Sequence, residues 1–208
     1  MEREDLESVA DRVLAQEYTV EERMTVDVEI RLDGVVVDRT WALNEASVEK
    51  AARDRMLEVV VEVDGRPLSR WGCDGVVCAT PTGSTAYAFS AGGPIIWPQV
   101  EALLMAPISA HALFARPIVV SPTSVLAVEV AADSPHGSRA NGVLWVDGRR
   151  SWPLPAGARI EVRRGSAPVR LARLTSTTFT DRLVRKFELP VQGWRGVRQP
   201  GERHPGRG

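Results

Sequence analysis

The run Gly72-Cys73-Asp74-Gly75-Val76-Val77-Cys78-Ala79-Thr80-Pro81-Thr82-Gly83-Ser84-Thr85-Ala86-Tyr87-Ala88-Phe89-Ser90-Ala91-Gly92-Gly93-Pro94-Ile95-Ile96 stands apart in this chain of 208 residues. It spells a turn, a strand, a hydroxyl-rich loop and a short helix. Asp74-Gly75 is turn chemistry. Val76 to Ala79 is a short apolar run with β-branched residues, which predicts a strand buried on both faces. Pro81 lacks an N–H for the ladder and ends it. Ser84 or Thr85 is placed to cap the helix that follows. Gly92 and Gly93 permit a left-handed C-terminal turn, and Pro94 forbids continuation. Such a loop turns backbone N–H groups and hydroxyls toward a ligand. Taken alone, the same spelling also fits a well-capped connection. It is not a Walker loop, because no Lys follows Gly83. Nor is it a nucleophile elbow, because Ser84 lacks the Gly-x-Ser-x-Gly frame.

Outward from this run, the chain reads as many short strands. Glu2 to Gln16 is an amphipathic helix with Leu6, Val9, Val13 and Leu14 on one side. Thr19 to Leu32 is a strand in which Val26, Val28, Ile30 and Leu32 alternate with Asp27, Glu29 and Arg31. Asp33-Gly34 is a hairpin signal, and the return strand, Val35 to Leu43, ends at Asn44-Glu45. Met56 to Val63 and Arg66 to Trp71 flank the turn at Asp64-Gly65. Gln99 to Met105 reads as a short helix. Further strands are expected at Pro117–Val120, Val125–Val130, Val143–Val146, Arg149–Leu154, Arg159–Arg163 and Val169–Leu174. Ser134 to Asn141 is a loop by composition. Thr178 to Phe187 is a helix with Phe179, Leu183 and Phe187 on one face. Arg195 to Gly208, rich in Gly, Pro and Arg, is expected to be disordered. The fold class is mainly β: a multi-stranded β-sandwich with a short internal helix, and terminal helices outside that plan.

The bulk composition, 44% hydrophobic and 25% charged, is that of a globular protein with a real core. No apolar run approaches the ~20 residues that span a bilayer, and the acidic N-terminus lacks a signal region, so a cytoplasmic location without a membrane partner is expected. The net charge of −1 hides an asymmetry: residues 1–65 hold 18 acids and 8 bases, residues 66–208 hold 9 and 18. No aromatic-interleaved basic stripe points to nucleic acid, and a solvated surface accounts for the Arg excess. Cys73 and Cys78 sit on or beside one strand at an odd separation, so they point to opposite faces and read as small buried hydrophobes.

With these residues in view, a resemblance enters. Asp74-Gly75, Thr80-Pro81-Thr82-Gly83-Ser84-Thr85-Ala86-Tyr87, Ser90 and Gly92-Gly93-Pro94 closely resemble the substrate-binding signature of NAD kinases, which phosphorylate the adenosine 2′-hydroxyl of NAD to make NADP. Asn44-Glu45 resembles the family's paired Asn-Glu element. The resemblance runs from about Arg3 to Trp194. It implies that Asn44 and Glu45 contact the adenosine ribose, where an amide and a carboxylate suit vicinal hydroxyls. It places Thr82, Thr85 and Tyr87 on the adenine side, and Asp74 and Ser90 at the nicotinamide end. Ala86, Ala88 and Phe89 are further NAD-binding positions in the same segment, and Asp147, at a hairpin turn, is an additional candidate. By its local spelling Asp74 reads as a turn residue; the resemblance and its place ahead of a buried strand reverse that. Family members often carry an Arg two residues before this Asp, where Gly72 stands here.

The resemblance also implies ATP as a partner, with Mg²⁺ or another divalent cation and no tightly bound cofactor, and a homo-oligomer. It divides the chain into a remnant helix of an N-terminal α/β domain (1–17), a β-sandwich NAD-binding domain (18–177), a returning helix (178–194) and the tail (195–208). The family's general-base Asp belongs to a Gly-Gly-Asp-Gly loop. This sequence has none: Gly92-Gly93 is followed by Pro94. The expectation is therefore an acceptor-binding half whose general base lies upstream of Met1, from a wrong start site or a truncation, inactive by itself. The alternative is a stand-alone nucleotide-binding β domain. A serine hydrolase using Ser84 or Ser90 with His111 ranks far behind.

Overall fold

The computed structural model describes residues 3–53, 55–133, 141–174 and 177–191, without the side chains of residues 3–7. Helix α1 (Arg3–Leu14) precedes β1 (Thr19–Arg23), β2 (Val26–Leu32), β3 (Val35–Ala42), β4 (Glu45–Lys50), β5 (Leu57–Val63), β6 (Arg66–Cys73) and β7 (Gly75–Ala79). A 3-10 turn (Gly83–Thr85) and α2 (Tyr87–Ser90) follow. Then come β8 (Leu103–Ile108), β9 (Ile118–Val120), β10 (Leu126–Val130), β11 (Gly142–Val146), β12 (Arg150–Leu154), β13 (Arg159–Arg164), β14 (Val169–Arg173) and α3 (Phe179–Phe187).

The protein is mainly β. One six-stranded sheet runs β3-β2-β13-β10-β5-β6, a second runs β12-β11-β4-β7-β8-β9, and β1 pairs with β14. Alternation dictates the packing. Val26, Val28 and Ile30 of β2, Val59 and Val61 of β5, and Ile160 and Val162 of β13 are buried from the first sheet. They share one core with Ala46 and Val48 of β4, Val76 and Cys78 of β7, and Leu144 and Val146 of β11 from the second. This is a sandwich, with one inner face from each sheet.

The outer face of the first sheet explains the charge asymmetry. Strand β13 pairs with β2, and β10 lies between β13 and β5, so late arginines meet early acids. Arg159 lies 2.7 Å from Glu62, and Arg70 of β6 lies 2.9 Å from Glu58 of β5. Each such surface pair contributes little, but together they form a solvated lattice of alternating sign.

Three Asp-Gly pairs, Asp33-Gly34, Asp64-Gly65 and Asp147-Gly148, have positive φ at both residues, as the tight hairpin turn requires. Asp64 does more than turn the chain: its carboxylate accepts from the Val125 N–H at 2.8 Å and from Ser124 Oγ at 3.1 Å. Asp74 is not at positive φ; it joins β6 of one sheet to β7 of the other.

Several expectations are corrected. The strand expected over Thr19–Leu32 is two, β1 and β2, in different sheets. The return strand stops at Ala42, and Glu45 opens β4, which the sequence reading left unassigned. Glu-Ala-Ser-Val-Glu-Lys has weak strand propensity, but β7 and β11 flank it and supply both ladders. Gln99–Met105 is not a helix: Leu103–Ile108 is β8, paired with β7 and β9, and this ladder overrides the helix-forming Leu and Met. Cys73 and Cys78 are not on one strand. Cys73 ends β6 and Cys78 lies in β7, and both enter the same core, so the parity argument does not apply. Burial pushes both thiols up to about 12, which makes them inert.

Residues Val20–Ala172 form one compact unit, and the described parts of the segments before and after it form another. In the latter, the Arg12 guanidinium donates to the Leu174 carbonyl. Helix α3 is held by a reciprocal capping box between Thr178 and Asp181. Of the expected loop Ser134–Asn141, residues 134–140 lie outside the described residues, as does the expected tail at 195–208. Among the described residues, no helix is long and apolar enough to cross a membrane.

Leu126 is fully buried in β10 at the centre of the sandwich. Leu126→Ala should cost about 2–5 kcal/mol of stability, read as a lower urea midpoint at unchanged slope.

Candidate functional site

All five residues of β7 are buried. Val76 and Cys78 enter the sandwich core, while Val77 and Ala79 face outward, beside Leu104 of β8 and packed with Ala88 and Ile96. The short helix is thus a lid over the outer face of the second sheet. Neither Ser84 nor Thr85 caps it, contrary to expectation: Ala86 is at the N-cap, with no side-chain bond. The Ser84 hydroxyl is fully buried and instead stitches the loop, donating to the Pro81 carbonyl at 2.7 Å and accepting from the Ile96 N–H at 2.9 Å. That commitment leaves it unavailable as a nucleophile. Gly92 takes the expected left-handed conformation, with φ of 78°.

The chain leaves the first sheet and enters the second through Leu43 and Asn44. Strand β7 ends against this corner. Thr80 Oγ1 donates to the Leu43 carbonyl at 2.6 Å, and the Thr80 N–H donates to the Asn44 carbonyl at 2.9 Å. Gly83 lies so close that a Cβ there would collide with the Asn44 carbonyl, so the loop needs glycine at this point. From the opposite side, the Asp147 carboxylate accepts from the N–H groups of Leu43 at 3.0 Å, Asn44 at 2.8 Å and Glu45 at 3.3 Å.

A cavity of about 370 Å³ opens on the outer face of the second sheet, lined by Glu45, Ser47, Glu49, Tyr87, Trp145 and Gly148. Its floor follows from register: Glu45, Ser47 and Glu49 alternate along β4, and Trp145 of β11 pairs opposite Ser47. Tyr87 of α2 forms one side. Burial raises its hydroxyl pKa first, and the carboxylates of Glu49, Asp74 and Glu45 raise it further. The surroundings are therefore electronegative. Asp74 is held below the usual carboxylate range, chiefly by the hydrogen bond from Lys50, whose Nζ lies 2.6 Å away, with a smaller contribution from Ser109. Lys50 thus supplies a cation beside Asp74, where Gly72 has no side chain to do so.

Of the expected site residues, Glu45 and Tyr87 line the cavity, and Asn44 precedes Glu45 at the corner. Asp74 is close enough to act on Tyr87 electrostatically. Ala88 turns down beneath α2 and is fully buried. Thr82, Thr85 and Ala86 are half-buried, and Phe89 and Ser90 are exposed; none of them lines the cavity. Asp147 faces the backbone of the corner. Ser47, Glu49, Lys50 and Trp145 escaped the sequence reading. Period-two alternation from Glu45 carries the signal for Ser47 and Glu49, but Trp145 reaches them only through pairing of distant strands. Among the described residues, no group of three or more His, Cys, Asp or Glu could hold a metal ion.

Against known proteins, the family model of the ATP-NAD kinase C-terminal domain matches residues 43–174. NAD kinase 2 of Streptomyces avermitilis is 67% identical over 196 residues, which cover 94% of this chain and 64% of that protein. The NAD kinase of Thermobifida fusca is 62% identical, over 94% of this chain and 60% of its own length. The chain thus spans less than two thirds of these relatives. Among solved structures, yeast NADH kinase complexed with NADH superposes with a TM-score of 0.81 at 24% identity, over 96% of this chain and 57% of that one, a likeness of fold. An NAD kinase from Archaeoglobus fulgidus in complex with ATP gives a TM-score of 0.63 at 28% identity, over 81% and 60%.

The Lys50–Asp74 pair sets a pH dependence. Asp74 has a depressed pKa when folded, so its contribution to stability is present above the ordinary carboxylate pKa and is lost as pH falls through the depressed value. Lys50→Met should return the Asp74 pKa toward the ordinary range in a carboxyl NMR titration. The stability difference between wild type and variant should be small and salt-sensitive near neutrality, since Asp74 is 43% exposed, and should vanish in acid. An unchanged Asp74 titration in the variant would sink this assignment.

Proposed function

The chain belongs to the ATP-NAD kinase family through its C-terminal domain, and we propose that it supplies the NAD-binding part of an enzyme that phosphorylates the adenosine 2′-hydroxyl of NAD to give NADP. The sign of the cavity's charge carries this proposal. Glu45 and Glu49 line the cavity with carboxylates, and Asp74 acts on Tyr87 from close by. The same carboxylates suit ribose hydroxyls and the cationic nicotinamide ring of NAD. In this assignment Asn44 and Glu45 meet the adenosine ribose, and Thr82, Thr85 and Tyr87 border the adenine. Asp74 and Ser90 hold the nicotinamide end, and the segment Ala86, Ala88 and Phe89 completes the wall. The parent enzyme takes ATP with a divalent cation, works in the cytoplasm and assembles as a homo-oligomer.

Phosphoryl transfer needs a cradled donor, an aligned acceptor hydroxyl and a carboxylate to take its proton. These 208 residues contain no Gly-Gly-Asp-Gly run, so the role proposed for them is to align the acceptor. Titration calorimetry of the purified chain should show saturable heat with NAD, weakened about tenfold by Glu45→Gln. With ATP, Mg²⁺ and NAD together, the chain alone should form no NADP. Absence of heat at millimolar NAD would remove the binding assignment, and steady NADP formation would remove the division of labour.

A further inference from the structure

We propose that Asp147 is a positioning residue: its carboxylate, reaching across from the β11–β12 hairpin, sets the orientation of the Asn44–Glu45 corner through which the acceptor is held. The inference rests on the function proposed above for Asn44 and Glu45. It adds a residue that acts through them, in place of the direct ligand contact expected for Asp147.

At the corner the backbone passes from the edge strand of one sheet to an inner strand of the other, so its N–H groups leave the ladder of β3 before joining that of β4. A single carboxylate accepts from three of them in succession, Leu43, Asn44 and Glu45. Three donors converging on one anion fix a peptide's orientation more tightly than isolated bonds do. The fixation is two-sided, because the Thr80 hydroxyl and N–H take the carbonyls of Leu43 and Asn44. Two further contacts tie Asp147 itself: its N–H donates to the Glu45 carbonyl at 3.0 Å, and Arg150 Nη2 lies 3.5 Å from its carboxylate. Arg150 in turn donates to Thr40 Oγ1 at 2.8 Å and to the Trp41 carbonyl at 2.6 Å, immediately before the corner. A hairpin that needed only to turn would not require these bonds. Asp33, at an equivalent positive-φ turn, serves the same conformation at the edge of the other sheet.

Asp147→Asn separates the two roles. Asn tolerates positive φ, so the turn survives, but its amide NH₂ faces an N–H donor and cannot replace the second carboxylate oxygen. In the free chain, amide hydrogen exchange at Leu43, Asn44 and Glu45 should accelerate in the variant while exchange in β5 and β10 stays unchanged. NAD and its adenosine 2′-deoxy analogue are then titrated calorimetrically into wild type, D147N, N44A and the double variant. The variant D147N should lose about tenfold in NAD affinity and most of the preference over the deoxy analogue. A general loss of stability would weaken both ligands alike. In the N44A background, D147N should add little, because both act through one group. Additive losses, or an unchanged preference between the two ligands, would overturn the inference while leaving NAD binding intact. If wild type binds neither ligand, the proposed function fails, and exchange decides alone: unchanged rates at the corner in D147N overturn the positioning role, and faster rates there support it.

Discussion

Burial of strand β7 on both faces is the constraint from which the site follows. Val76 and Cys78 are needed by the sandwich core, while Val77 and Ala79 must be covered on the other side. The segment that follows supplies that cover: it folds back as α2, with Ala88 and Ile96 completing the apolar patch. That return brings Tyr87 over the second sheet and Gly83 against Asn44. A hydrophobic requirement thus locates polar groups. Exposing Val77 and Ala79 would cost apolar burial, so the loop has little freedom to move away.

The polar side of the same sheet is built on different terms. Glu45, Ser47 and Glu49 share the outer face of β4, and Ser47 Oγ donates to Glu49 Oε1 at 2.6 Å. Burial and the carboxylates gathered around Tyr87 together disfavour its phenolate, so its pKa is raised. Lys50 offsets the negative charge at Asp74 through a direct ion pair. Such a concentration of acceptors is suited to hydroxyl-bearing or cationic groups.

The membership of the chain in its family was legible in the run from Asp74 to Pro94 together with Asn44-Glu45. Most strands were legible too, because β2, β5, β10 and β13 alternate cleanly. Two of the departures share a cause. Strand β4 and strand β8 are rich in Glu, Ala, Leu and Met, whose local preference is helical or neutral, and both become strands because neighbours on each side complete their ladders. Where pairing is non-local, propensity loses.

By itself, the sequence determined the hairpins, since Asp-Gly at Asp33, Asp64 and Asp147 is the local chemistry of positive φ. It also determined the doubly buried strand, since an apolar run bounded by Asp-Gly and Pro has no exposed face. Only the tertiary structure decided which residues meet at the cavity. Trp145 is about a hundred residues from Ser47, and they become neighbours through one register between β4 and β11. It alone decided that Asp147 faces the backbone of Leu43, Asn44 and Glu45, and that Lys50 faces Asp74. The reason is physical: a turn is set by the φ of its own residues, whereas a site is set by the pairing of strands that are distant in the chain.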